Sequence, residues 1–276
     1  PCYICHSTDN PIIASEKCEC RYGKSFMPEG VYNFVRCRNC STLYVDSDVN
    51  DEYLTALYEQ ETEKTIEKEV PGFLAEAQIR KRIREFVHHW RLLKKIRAPK
   101  QGDMLLDLGC QTGELGSLAQ RDGVTPNGID LSREYCHECR AIWGRESVVH
   151  CGPLSTAPFK PQMFHYITAF ETLEHMCDPI AALRQIHGWL VPDGILAISV
   201  PSSDYFHFKF YLFRKAMLRS LLVWWKPIHK GQILPHSHIY NFSIASTNQL
   251  LINSGFKVCD IRLEGGMAAL GFLVML

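Results

Sequence analysis

A chain of 276 residues with 46% hydrophobic residues can bury a full core and a smaller appended unit. Its 30 basic side chains balance 30 acidic ones, which excludes a global field that gathers nucleic acid or anionic membrane, so charge-guided binding must be local. No run of about 18 apolar residues occurs, and Pro1-Cys2-Tyr3-Ile4-Cys5 lacks a basic-then-apolar leader, so a soluble, cytoplasmic protein is expected.

Half of the 12 cysteines fall within the first forty residues. Cys2-Tyr3-Ile4-Cys5 and Cys37-Arg38-Asn39-Cys40 are two CxxC knuckles, a spacing that lets four thiolates close a tetrahedron around Zn²⁺. Cys18, Cys20 and His6 are less regularly spaced substitutes. A closed four-cysteine site keeps no open coordination position, so the metal is expected to be structural. Cys110, Cys136, Cys139, Cys151, Cys177 and Cys259 read as small buried thiols within helix and strand patterns. The resulting division is a zinc ribbon over 1–50, a helical connector over 51–100 and a main domain over 101–276.

In the connector, Ile79, Ile83, Phe86, Val87, Trp90 and Leu93 form one apolar helical stripe followed by Lys94 and Lys95. Pro71-Gly72 breaks the segment and Pro99 ends it. From Asp103 onward short apolar runs alternate with helical segments, the pattern of an α/β domain with a parallel sheet. Strands are predicted near Met104–Leu108, Asn127–Ile129, Val148–Cys151, His165–Ala169 and Ile195–Val200. Asp178-Pro179 caps a helix through Leu190, and Gly255 closes another before a strand at Phe256.

Gly109-Cys110-Gln111-Thr112-Gly113 follows the first of these strands, where Gly109 permits a tight turn and Gly113 starts a helix with N–H groups turned to a ligand. Asp130 ends the second strand, where a carboxylate can accept both hydroxyls of a ribose. The loop lacks the GxGxxG spacing that lets backbone approach a pyrophosphate, which argues for a nucleoside without a diphosphate.

Leu106-Asp107-Leu108-Gly109-Cys110-Gln111-Thr112-Gly113, with Gly128-Ile129-Asp130-Leu131-Ser132 downstream, resembles the class I S-adenosylmethionine-dependent methyltransferases. Phe164–His175, which ends in Leu173-Glu174-His175, and Gly194–Pro201 extend the resemblance to that family's fourth strand with its LEH signature and to its fifth strand. The cysteine knuckles with Thr42-Leu43-Tyr44-Val45 resemble the N-terminal ribbon of the deoxysugar C-methyltransferase branch. The resemblance implies a Rossmann-like, seven-stranded methyltransferase sheet beside a small zinc-binding domain.

It also implies cofactor contacts at Gly109, Cys110, Gln111 and Gly113, with Asp107 ordering the loop. Asp130 with Leu131 belongs to the ribose, Pro153 and Leu154 to adenine, and Phe170 to the methionine part. Gln111 replaces the family's middle glycine and either crowds the cofactor or turns to solvent. For the group that removes an acceptor proton, His238 is favoured, with His175, His236, Tyr240 and Glu171 as alternatives. Tyr58 and Glu61 match an acceptor-side tyrosine and acid of the sugar branch.

Between the fifth strand and the last helix, at about 202–242, lies an aromatic and basic insertion that includes Tyr205–Lys215 and Leu221–Lys226. It is expected to form a lid over the acceptor, with peripheral membrane contact and a subunit contact as rival readings, so monomer and homodimer both stay open. The function implied is methyl transfer from S-adenosylmethionine to a small acceptor, a nucleotide-linked sugar or surface-glycan intermediate. RNA methylation, which the neutral charge disfavours, and a zinc-stabilised binding protein without catalysis are the alternatives.

Overall fold

A computed structural model describes residues 1–18, 30–46, 50–52, 54–56, 58, 72–204, 238–264 and 269–275. The strand pattern of the main domain is realised as β4 (Met104–Leu108), β5 (Thr125–Asp130), β6 (Val149–Cys151), β7 (Phe164–Phe170) and β8 (Leu190–Pro201). These five strands are parallel, in the spatial order β8-β7-β4-β5-β6. The sheet is extended beyond β8 by antiparallel β11 (Ala269–Met275) and then β10 (Lys257–Glu264). The chain enters at β4, steps outward to β6, then returns to β7 on the other side, so the order reverses at the tip of β4. In open α/β sheets that reversal opens a crevice beyond the carboxyl ends of the strands.

Both faces of the sheet are covered, which is why its strands read as nearly continuous apolar runs. Leu105, Tyr166, Ile195 and Ala197 face α1 (Gly72–Ile96), against Trp90 and Leu93. Leu106, Leu108, Ile167, Ala169, Leu196 and Ile198 point the other way, toward α4 (Pro179–Trp189) and α5 (Ile244–Asn253). The helices between β4 and β6 are α2 (Glu114–Arg121) and α3 (Arg133–Trp143). Asp178 caps α4 as expected, its carboxylate accepting the Ala181 N–H at 2.9 Å. The apolar stripe of α1 is only partly buried: Trp90 and Leu93 are in the core, but Ile83 is 38% exposed. Near that exposed turn the helix contributes Arg82 to the loop after β4.

The N-terminal segment forms a second, antiparallel sheet of β1 (Ile12–Cys18), β2 (Gly30–Arg36), β3 (Leu43–Asp46) and β9 (Tyr240–Asn241). The fourth strand comes from the far end of the chain, past the insertion, and pairs Leu43 with Asn241 and Tyr44 with Tyr240. The apolar core runs without a break from Cys2, Ile4 and Phe34 through Tyr240 and Phe242 to Leu108 and Ile167. The two flanks of the insertion meet, with Ser202 bridging Phe242 and the Ser203 N–H donating to the Phe242 carbonyl at 2.8 Å. The aromatic-basic segment, His236 and Glu61 lie outside the described residues. Among the described residues no helix is long and apolar enough to cross a membrane.

Candidate functional site

A cleft of about 690 Å³ opens at the tip of β4, where the strand order reverses. Gly109 lies on its wall with φ +71°, and a Cβ there would sit 2.8 Å from the Thr172 hydroxyl. Only glycine combines that left-handed backbone with that approach. The next two residues diverge. The Cys110 side chain is buried, 3.7 Å from the Cys139 sulfur and away from the cleft. Gln111 has φ +44°, a conformation a glycine adopts freely, which explains why the family pattern places glycine here. Its side chain turns outward, where Oε1 accepts from Arg82 at 3.1 Å. Arg82 also donates to Thr112 Oγ1 at 2.8 Å and pairs with Glu114, so one α1 cation clasps the loop. Sequence spacing gave no hint of Arg82.

Asp130 is 8% exposed and lines the cleft beside Leu131. Its Oδ2 accepts the Gln111 N–H and its Oδ1 the Ser132 N–H, each at 2.9 Å. A carboxylate has about four acceptor positions. Two are used to shape the loop, and the cleft-facing ones can take a diol. Burial raises the Asp130 carboxyl, opposed by the N–H groups of Ser132, Gln111 and Leu131. Pro153 and Leu154 also line the cleft, on the short turn Leu154–Thr156 after β6. That turn is tied to the opposite rim, since Ser155 Oγ donates to Asp51 at 3.2 Å.

Besides Cys110, three more residues assigned to the cofactor region lie off the cleft wall. Gly113 (φ +79°) is buried beneath Trp143, where a Cβ would meet the indole and Cys139 at 3.0 Å, so helix packing requires this glycine. Asp107 is buried below the loop, accepts from Thr168 Oγ1 at 2.7 Å, and is pushed up to about 7 by desolvation. Phe170 faces α1, its ring 4.4 Å from that of His89. None of the three, and not Cys110, is among the residues that line the cleft.

The opposite end of the cleft carries Glu171, His175 and Tyr58. Glu171 has φ +50°, a strained backbone for a non-glycine residue, and its Oε1 accepts from Ser199 Oγ at 3.1 Å. His175 ends the short turn Leu173–His175, with its ring 6.3 Å from Tyr58 and 5.0 Å from His238. His238 is set behind His175 and does not line the cleft, and burial pushes it down to about 4. It is thus further from the cleft than His175, which lines it. Tyr240 is likewise outside the cleft: it is buried, stacks on Phe242 and donates to the Cys177 carbonyl at 3.2 Å, acting as a strut.

At the far side of the N-terminal sheet the sulfurs of Cys2, Cys5, Cys37 and Cys40 lie within 4.8 Å of one another. The Cys2–Cys40 and Cys5–Cys37 separations are 3.7 and 3.4 Å. Zn–S bonds of about 2.3 Å arranged tetrahedrally put neighbouring sulfurs ~3.8 Å apart, so the donor set fits such an ion. The Cys40 N–H points at the Cys37 sulfur at 3.5 Å, the contact that steadies a knuckle thiolate. Cys18 lies at the other end of the β1–β2 hairpin, opposite Gly30. His6 is not in the cluster.

Comparison with known proteins agrees with this geometry. Residues 75–261 match a family described as a methyltransferase domain. A ubiquinone biosynthesis O-methyltransferase of Actinobacillus pleuropneumoniae is 30% identical over 106 residues, 36% of this chain and 45% of that protein. The O-methyltransferase resE of Aspergillus sclerotiorum is 35% identical over 106 residues, 36% of this chain and 39% of that protein. The matches thus span less than half the length of these curated relatives. In fold, the chain is similar to 1,6-didemethyltoxoflavin-N1-methyltransferase of Burkholderia thailandensis, solved with S-adenosylhomocysteine (TM-score 0.55, 17% identity, 87% of this chain and 96% of that one). It is also similar to an S-adenosylmethionine-dependent methyltransferase of Mesorhizobium loti (TM-score 0.51, 18% identity, 68% and 97%). With that family match covering residues 75–261, more than half of the chain, this protein belongs to the methyltransferase-domain family.

Proposed function

We propose that the chain transfers a methyl group from S-adenosylmethionine to an oxygen of a small acceptor bound in the cleft. The observation that carries this reading is Asp130, buried at the tip of β5 and facing the cleft with acceptor capacity beyond its two backbone bonds. On this reading Asp130 holds the ribose hydroxyls, Leu131 flanks them, Pro153 and Leu154 border the adenine, and Gly109 with the Gln111 backbone borders the methionine part. Cys110, Gly113, Asp107 and Phe170 shape the loop from behind.

The cofactor supplies an already activated methyl on a sulfonium, so the protein mainly has to hold the acceptor oxygen in line with it. Glu171 and His175 serve the acceptor end, with Glu171 receiving the proton of the acceptor hydroxyl. Oxygen as the methylated atom is supported by the chemistry of the two O-methyltransferases the chain is similar to. A nucleotide-linked sugar acceptor is supported by the resemblance of the cysteine segment to the sugar branch alone. Zn²⁺ held by Cys2, Cys5, Cys37 and Cys40 would organise the N-terminal sheet and take no part in methyl transfer, since a four-thiolate shell leaves no open position.

Incubation with methyl-labelled S-adenosylmethionine and separate panels of phenolic hydroxyl and nucleotide-sugar acceptors tests the reading. Label incorporated into an acceptor hydroxyl supports it. Cofactor binding with no transfer to either panel contradicts the acceptor class, and no cofactor binding contradicts the whole reading.

A further inference from the structure

Glu174 is fully buried, with 0% exposure; neither carboxyl oxygen has a donor in hydrogen-bonding geometry, and the Glu171 carboxyl stands beside it. A buried carboxyl in such surroundings is neutral, sharing a proton with a neighbour such as Glu171, or is neutralised by a cation. Glu174 has two imidazoles for neighbours. His175 Nε2 is 3.8 Å from Glu174 Oε1, and the His238 ring lies across from that of His175. One ligand atom from each of Glu174, His175 and His238 can be chosen so that all lie within 4.8 Å of one another. His238 Nδ1 is itself buried without a hydrogen-bond partner. The arrangement is not a chance meeting of loose chains, because the Ile239 N–H donates to the Glu174 carbonyl at 3.0 Å and fixes the two segments together.

We propose that Glu174, His175 and His238 form a divalent-cation site at the acceptor end of the cleft. Metal bonds of about 2.0–2.2 Å to imidazole and carboxylate put neighbouring ligand atoms ~3–3.6 Å apart, so an ion would draw the three groups together from separations of up to 4.8 Å. Two histidines and one carboxylate leave open positions on the ion. His175 and Glu171 line the cleft while Glu174 and His238 sit behind, so an ion held by the three would be reached from the cleft side. The site differs in kind from the four-thiolate cluster, whose soft donors favour zinc; imidazole and carboxylate also accept harder ions such as Mn²⁺.

The use of such an ion rests on the methyl-transfer reading, although the site itself does not. An acceptor hydroxyl bound at an open position becomes more acidic. Its proton passes to Glu171, the oxygen forms a bond to the methyl carbon, and the carbon–sulfur bond breaks with its electron pair left on sulfur.

The test titrates the zinc-loaded full chain with MnCl₂ and follows loss of the free Mn²⁺ electron paramagnetic resonance signal. One bound equivalent is expected, weakened about tenfold or more in Glu174→Gln and His238→Ala and kept in Asp130→Ala. Asp130→Ala is also the variant expected to lose S-adenosylhomocysteine, so failure of the cation site and failure of the cofactor reading are separable. No uptake of Mn²⁺ or Co²⁺ by the wild-type chain, which needs no variant to fold, overturns the site. Equal uptake by Glu174→Gln, with unchanged circular dichroism, does the same. Methyl transfer stimulated about tenfold by Mn²⁺ supports the catalytic use, and equal turnover with and without the ion overturns it.

Discussion

The two ends of the cleft are built differently. The end of the cleft assigned to the cofactor comes mostly from one stretch of chain, in which β4, its glycine turn, α2 and β5 follow one another and Asp130 lies 21 residues after Gly109, with Pro153 and Leu154 added after β6. Its contacts are largely backbone shaped by φ, as at Gly109 and Gln111. The acceptor end is assembled from the short stretch around Tyr58, the turn Leu173–His175, and His238 beyond the insertion. His238 is held there because β9 joins the cysteine-bearing sheet. The first end is thus a local product of sequence, while the second depends on long-range pairing and on the cysteine cluster that anchors it.

That contrast is open to attack from both sides. The largest effect is expected at Asp130: Asp130→Ala removes the proposed ribose bonds and leaves the Gln111 and Ser132 N–H groups without their acceptor. Hydrogen bonds to a charged group contribute roughly 1.5–3 kcal/mol each, so S-adenosylhomocysteine affinity measured by calorimetry should fall about 100-fold or more. A loss under threefold would break the cofactor assignment.

Next in size is the cysteine cluster. Stripping metal from the chain, or Cys37→Ser, should lower the melting temperature and reduce methyl transfer about tenfold while changing S-adenosylhomocysteine affinity by less than about threefold. Equal losses in turnover and cofactor affinity would erase the distinction between the two ends.

The third concerns Asp107, whose buried carboxyl is raised to about 7. A carboxyl raised on folding binds more protons in the native state than unfolded, so its contribution to stability declines as pH climbs from about 4 through about 7 and stays low above that. In the ligand-free protein, Asp107→Asn should keep the Thr168 bond, flatten that slope in urea unfolding, and gain stability at pH 8 of up to ~4 kcal/mol. A variant no more stable than wild type at pH 8 would contradict the buried, proton-holding carboxyl.

The smallest effect is expected at Gln111. Gln111→Gly relieves the left-handed backbone but loosens the unfolded chain and releases Arg82, so stability should move by no more than about 1 kcal/mol. Cofactor affinity should stay within about threefold, because the native side chain already points away. A tenfold gain in affinity would show that glutamine crowds the cofactor.

How much of this was legible follows from the same contrast. The strand positions and the Asp178 cap depend on neighbours within a few residues and emerge where the sequence places them, while regular spacing brings the four cysteines together and puts Gly109 and Asp130 on one cleft wall. Gly113 and Phe170 were read as cofactor contacts because position in the motif does not reveal that Trp143 or His89 has claimed their surroundings. Arg82 is 29 residues from Gln111, and no local pattern points across that distance. The setting of His238 and Tyr240 has the same cause. Both flank or form β9, and burial against the N-terminal sheet decides their environment. Glu174 reads as an ordinary turn residue until the packing around it removes every donor.

The most direct test of the central claim is a crystal structure of the chain with S-adenosylhomocysteine. The account predicts ribose hydroxyls on the Asp130 carboxylate, the Gln111 side chain still on Arg82, and the sulfur turned toward Glu171 and His175. A nucleoside bound away from Asp130, or a cleft left empty at saturating ligand, would contradict it.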